Sequence, residues 1–399
     1  MKIMQINVVY NTGSTGKIMC DIHTELIREG FDSVICYGRG ATTDDKNVYK
    51  TCGELYSKLN NLASRFTGIM YGGCLLSTSK LINIIKKENP DVVHLHCING
   101  YFVNIYRLIS WLKKSNIKTI LTLHAEFMHT ANCGYAFECE KWKTGCGKCP
   151  RLKLETKSVL IDGTHRSWVR MKKAFEGFEN LTVISVSPWL MERAKQSPIL
   201  KDFKHITILN GLDTDIFHPT ESKIKAELGI ENKKMIFHAT PKFDNDQNNI
   251  KGGHHLIKLA EMMKDMAFVI AGTYPEGLSV PENMILLGKV SDQKKLAEYY
   301  SAADLTVLTS KKETFSMVVA ESLACGTPVV GFEAGAPEMI SIPEYSKFVE
   351  HGNVEELCKI TKEMLNLPLS KNEIALSAAQ KYSKKRMTEQ YIDAYKNRS

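Results

Sequence analysis

No run in this sequence approaches the ~18 consecutive apolar residues that a membrane-spanning helix needs, so no transmembrane segment is expected. Nor does the chain open with a charged segment leading into a long apolar core. MKIMQINVVYNTGSTG reads as a short apolar strand entering a glycine-containing turn, which argues against a signal peptide and for a cytoplasmic protein. There is no tight tract of Lys and Arg and no nucleic-acid-binding motif, which sets nucleic acid aside as a partner. A Walker phosphate loop is also missing: Asn11 stands where its first glycine belongs, and Ile18 where its Ser or Thr belongs.

What is present describes a large globular protein. The 399 residues are enough for two domains, with 43% hydrophobic and 24% charged residues. The net charge of +8 suits an anionic partner: a sugar nucleotide, a lipid phosphate or a membrane surface. Short apolar runs alternate with amphipathic stretches along most of the chain, which predicts parallel βα units. The polar run 210–219, NGLDTDIFHP, marks a boundary between about 180 and 220.

One stretch, KKETFSMVVAESLACGTPVV at 311–330, organises the second half. A predicted strand, 304–309, precedes it. A helix beginning near Ser316 and a strand at 329–332 follow. In such a unit, ligands sit at the carboxyl ends of the strands, where helices begin. The free N–H groups of that helix favour a phosphate. Glu313 precedes the helix and Glu321 comes eight residues later, on roughly the same face. Two carboxylates and a row of amides suit a polyhydroxylated, phosphorylated ligand. Two glutamates at this spacing also arise by chance on solvated helices, so the flanking residues carry the weight.

Elsewhere, the turn around Gly13 and Gly16 opens a helix and can bring backbone close to a ligand, or it is a plain βα turn. Two successive predicted strands end at His96 and His124, which marks both as site candidates. The run 66–76, FTGIMYGGCLL, fits either a lipid-facing surface or internal packing, of which packing is preferred. Four of the 11 cysteines cluster at Cys133, Cys139, Cys146 and Cys149. The C-x2-C pair in a reducing compartment points to a structural zinc, against free thiols in a compact loop.

The stretch 311–330, taken with its flanks, resembles the signature of the retaining glycosyltransferases of family four. The block 139–150, with Trp142 and the pattern C-x-x-W-K-T-G-C-x-x-C-P, is similar to the bacterial capsule and colanic-acid type enzymes within it. The 210–219 run resembles that family's interdomain crossing, and Gly335-Ala336-Pro337-Glu338 its Gly-x-Pro-Glu turn, with Glu338 structural. The resemblance implies the GT-B fold: two Rossmann-like α/β domains facing a central cleft. These would be an acceptor-binding domain over 1–190, a nucleotide-sugar-binding domain over 191–375, and a helix over 376–399 crossing back to the first.

The activity implied is retaining transfer of a sugar from a UDP- or GDP-linked donor to a hydroxyl of a growing, lipid-linked surface or capsular glycan. No catalytic cofactor is implied. Glu321 would hold the ribose. Glu313 and the amides of Thr314, Phe315 and Ser316 would hold the donor sugar. Lys251, with Lys242, would neutralise the diphosphate. Gly13 and Gly16 would border the donor phosphates, and His124 would touch the transferred sugar. Peripheral contact with the inner face of the membrane goes with a lipid-linked acceptor. The sequence departs from the family twice. Lys242 stands near the place of a usual Arg, and Ala125 replaces the Asp that follows the His. Those departures keep two other readings in play, a sugar-nucleotide epimerase or hydrolase of the same fold and a binding protein without activity.

Overall fold

The computed structural model describes residues 1–397 as two α/β units. One comprises Met1–Leu209 together with the residues from Met387 onward; the other is Asn210–Arg386.

The first unit is built on seven parallel strands: β1 (Lys2–Val9), β2 (Asp32–Arg39), β3 (Val48–Lys50), β4 (Val92–Leu95), β5 (Lys118–Leu123), β6 (Leu181–Ser185) and β7 (Lys204–Thr207). They lie in the order β3-β2-β1-β4-β5-β6-β7. The central strands are buried on both faces because helices cover both. The helix Gly13–Arg28 contributes Ile18, Ile22 and Leu26 to a core shared with Ile3, Val92, Ile120 and Ile184. The final helix, Lys384–Lys396, closes the same core with Met387, Tyr391 and Tyr395.

The second unit repeats the plan with β8 (Met235–Lys242), β9 (Ala267–Thr273), β10 (Met284–Gly288), β11 (Leu305–Leu308), β12 (Val329–Phe332) and β13 (Ser346–Val349), in the order β10-β9-β8-β11-β12-β13. Its core gathers Phe243, Leu256, Phe268, Val307, Val330 and Leu357. In each sheet the strand order reverses beside the first strand, between β1 and β4 and between β8 and β11. Connections leave such a point in opposite directions and open a crevice at the strand ends.

Several expectations change. β7 hydrogen-bonds to β6, so the first unit extends to Leu209 rather than to 190. Residues 54–88 form two helices, Glu54–Thr67 and Leu75–Glu88. Gly68 separates them at φ +68°, and a Cβ there would lie 2.3 Å from the Ile161 carbonyl oxygen, so only glycine fits. The tail is likewise two helices, Lys371–Tyr382 and Lys384–Lys396. The Leu212 backbone enters the break, donating to the Tyr382 carbonyl and accepting from the Lys384 N–H. The edge strands β3 and β13 were not anticipated, being too short and too half-buried to show an apolar run.

Candidate active site

At the reversal point of the second sheet, two loops are stitched together. One, 243–252, follows β8; the other, 309–316, follows β11. Lys311 N donates to the Ile250 carbonyl at 2.7 Å, and Thr309 Oγ1 to the Lys251 carbonyl at 2.8 Å. Gly252 is left-handed at φ +67°, and a Cβ there would sit 2.2 Å from the Thr309 carbonyl oxygen. This close approach places Lys251 Nζ 2.6 Å from Glu313 Oε1. The carboxylate is 11% exposed and the lysine 26%. Glu313 is fixed through its backbone as well, donating to the Ala334 carbonyl and accepting from Ala336 N. Glu338 holds the loop after β12 by accepting from Ala334 N and Gly335 N, the structural part expected for it.

The chain then enters the helix Met317–Ala324 through Ser316. Serine is a good N-cap residue when extended, but Ser316 has φ +85° and its side chain makes no cap bond. Its hydroxyl is buried without a hydrogen-bond partner. A strained backbone and an unsatisfied buried hydroxyl at a helix start are features expected where a ligand supplies the missing partner. Phe315 turns inward, edge-on to Tyr382, so it can offer a ligand only its backbone. Glu321 is half-buried and accepts a hydrogen bond from Tyr300 at 3.2 Å. Burial and the neighbouring Glu321 charge push the Tyr300 phenol well above its usual range, so it stays a donor. No motif singles out Tyr300 in the sequence. Lys242 is the weakest of the candidates in this unit: it is 63% exposed and pairs with Asp244 at 2.7 Å.

In the first unit, the reversal point carries the histidines. His96 Nε2 lies 3.1 Å from Gln5 Oε1, and His96 Nδ1 lies 3.2 Å from His124 Nε2. An amide oxygen only accepts, so His96 carries its proton on Nε2 and accepts at Nδ1. His124 therefore donates from Nε2, which makes Nδ1 the acceptor of its neutral ring. Burial pushes the His124 pKa down to about 4. Burial, with the two neighbouring histidines, also holds His96 well below its ordinary value. His96 is fully buried and so positions His124. His94 is structural, lying between Tyr395 OH and Thr122 Oγ1. Gly13 is exposed at the start of its helix, while Gly16 packs against Val9.

The residue two beyond His124 is an acidic group at this end of the sheet. Glu126 is fully buried, paired with Arg193 and 3.4 Å from His129 Nε2, and it accepts from Ala136 N. Burial raises its pKa, but the neighbouring His129 and Arg193 outweigh this and hold it below the ordinary value. It anchors the loop that follows β5. Arg193, some 67 positions away, gave no signal in the sequence.

Cys133, Cys139, Cys146 and Cys149 do converge, lining one cavity of ≈20 Å³. The expected zinc finds no support in their arrangement: among the described residues no three His, Cys, Asp or Glu are placed to hold a metal ion. Burial pushes the Cys146 thiol up to about 12 and raises Cys133 and Cys149 as well, which keeps these sulfurs protonated. Hydrogen bonds hold the loop instead. Lys141 Nζ donates to the Lys148 carbonyl, Cys149 N to Asp162, and Trp168 Nε1 to the Trp142 carbonyl, while His165 Nδ1 meets the Gly145 carbonyl.

Comparison with known proteins agrees with this picture. Residues 243–366 match the family model described as glycosyl transferases group 1, a span that contains Lys251, Tyr300, Glu313 and Glu321. The chain is 21% identical to the putative colanic acid biosynthesis glycosyl transferase WcaC of Escherichia coli K12, over the full length of both. Among solved structures it resembles sucrose-phosphate synthase from Thermosynechococcus elongatus, with a TM-score of 0.68 at 17% identity, covering 99% of this chain and 98% of that one. It also resembles Anabaena HepE in complex with UDP, with a TM-score of 0.64 at 16% identity and 99% coverage of each.

Proposed function

We propose, from the premise that this chain is a glycosyltransferase carrying a group 1 domain, that it moves a sugar from a nucleoside diphosphate sugar to a hydroxyl of a growing, lipid-linked glycan with retention of configuration. The observation that carries this reading is the Lys251–Glu313 pair beside the unsatisfied Ser316 hydroxyl, at the reversal point of the second sheet.

In the unliganded protein, Glu313 is the counter-ion of Lys251. An incoming diphosphate competes for the lysine, and the carboxylate so released accepts hydrogen bonds from the sugar hydroxyls. Lys251 then meets the charge that grows on the departing diphosphate, so its contribution is concentrated in the transition state. The Ser316 hydroxyl and the amides of Thr314, Phe315 and Ser316 donate to oxygen atoms of the donor. Glu321, oriented by Tyr300, accepts from the ribose hydroxyls. Lys242 adds a screened, exposed charge. His124 is assigned to the transferred sugar by family resemblance, and its neutral ring accepts a hydrogen bond from a sugar hydroxyl.

HepE was solved with UDP and with UDP-glucose, which supports a nucleotide-sugar donor here. The colanic-acid relative supports a surface-glycan product. The test is to incubate the protein with UDP- and GDP-linked sugars and lipid-linked acceptors, and to read the anomeric configuration of the product by NMR. A glycan product of retained configuration is expected. Nucleotide release without any glycan product would refute the proposal.

A further inference from the structure

The helix Glu54–Thr67 is mounted on the first unit with its apolar side outward. Ser57 and Ser64 are buried, and they hydrogen-bond to the Gly100 carbonyl and to Tyr101 OH. Leu55, Leu59, Leu62 and Phe66 are 72%, 55%, 50% and 53% exposed. At roughly 100° per residue, these four fall in a stripe about 60° wide, opposite the two serines. A helix of a globular protein normally turns such a stripe to the core.

Neighbouring segments extend the apolar face. Val159 N and Ser158 Oγ both donate to the Arg65 carbonyl, which fixes a second segment against the end of the helix. There Val159, Leu160 and Ile161 are exposed in succession, Leu160 at 79%. Leu76 N lies 3.3 Å from Tyr56 OH, so the exposed pair Leu75 and Leu76 flanks the other end. An apolar face of this kind, made by several elements, needs a covering partner.

The surrounding charge indicates which partner. Lys58, Lys153 and Lys157 are exposed around this face. Of the acids nearby, Glu54 is paired with Arg39 and Glu155 with Arg151, while Asp162, next to Ile161, accepts from Cys149 N and Thr164, so the three lysines still leave the face net positive. A second copy of the chain would oppose these lysines with their own counterparts, which is repulsive. A bilayer with anionic headgroups satisfies the lysines and the leucines together.

We propose that this face, formed by the helix Glu54–Thr67 and the 158–161 segment, inserts into the interface of an anionic lipid bilayer. The proposal rests on exposure and charge in the first unit and is independent of the donor site, so either can fail alone. The full chain is sedimented with vesicles of phosphatidylcholine, with and without phosphatidylglycerol. Binding is expected to be at least ~10-fold tighter to the anionic vesicles. Leu55→Ser, Leu59→Ser and Leu62→Ser together are expected to cut binding at least ~10-fold with an unchanged melting temperature, because these side chains already face solvent. Lys58→Glu with Lys157→Glu is expected to abolish the preference for anionic lipid, which keeps the test decisive if the leucine variant misfolds. Equal partitioning to both vesicles, or a solution dimer that the leucine variant dissociates, would overturn the proposal.

Discussion

Lys251 Nζ and Glu313 Oε1 stand 2.6 Å apart across the two loops that leave β8 and β11. The pair is mostly shielded from water, and each group has the other as its ion-pair partner. A ligand that takes the lysine away must therefore bring its own negative charge, and one that takes the carboxylate must bring donors. A nucleoside diphosphate sugar brings both.

Lys251→Ala is expected to lower turnover at least ~10-fold, which corresponds to about 1.4 kcal/mol of lost transition-state stabilisation. Steady-state kinetics with the cognate donor measures this. Near-normal turnover would remove the lysine from the mechanism.

Tyr300→Phe removes one hydrogen bond to Glu321 and leaves the ring in place. A net loss of about 1 kcal/mol is expected, or roughly fivefold in nucleotide affinity, with turnover of the saturated enzyme little changed. Glu321→Ala, in contrast, is expected to abolish measurable donor binding. Calorimetry showing unchanged affinity in Glu321→Ala would remove the ribose contact.

Ser316 combines strain with an unsatisfied hydroxyl. Ser316→Gly relieves the positive φ and is expected to stabilise the fold by about 1 kcal/mol, while donor affinity falls because the hydroxyl is gone. Thermal melting and donor titration of the same variant separate the two effects. A variant that is both less stable and fully active would contradict this account.

Much of this arrangement can be read in the sequence because it is local. β5 and β12 follow from unbroken apolar runs, and Glu313, Glu321 and Lys251 are marked by the residues that flank them. What depends on contacts far along the chain cannot be read. The Leu212 backbone that splits the last two helices, the Tyr300 bond to Glu321, and Arg193 over Glu126 each join segments that carry no mutual pattern. The cysteine block shows the opposite difficulty. Its spacing looks like a metal knuckle, yet the folded loop brings the half-buried cysteines around one small cavity with no three metal-binding groups arranged to hold an ion among the described residues. The helix Glu54–Thr67 is amphipathic in sequence, but only the structure shows that its apolar side faces outward.

His124 titrates in the folded protein at about 4, against about 6.5 for an ordinary histidine. The unfolded chain therefore binds the proton more readily between those values. Stability is full above pH ~6.5 and is lost as the pH falls toward 4, by at most about 3 kcal/mol from this residue. Urea unfolding of the protein and of His124→Gln at several pH values checks this; the variant is expected to show a shallower loss on acidification.

The most direct test is calorimetric titration of wild type and Lys251→Ala with a nucleoside and with its diphosphate, for both uridine and guanosine. The account predicts that for the cognate base the wild type binds the diphosphate much more tightly than the nucleoside. It also predicts that Lys251→Ala loses most of that difference while keeping its affinity for the nucleoside. If the diphosphate preference survives in Lys251→Ala, or if neither base binds to the wild type, the site at the reversal point of the second sheet is not where the donor is held.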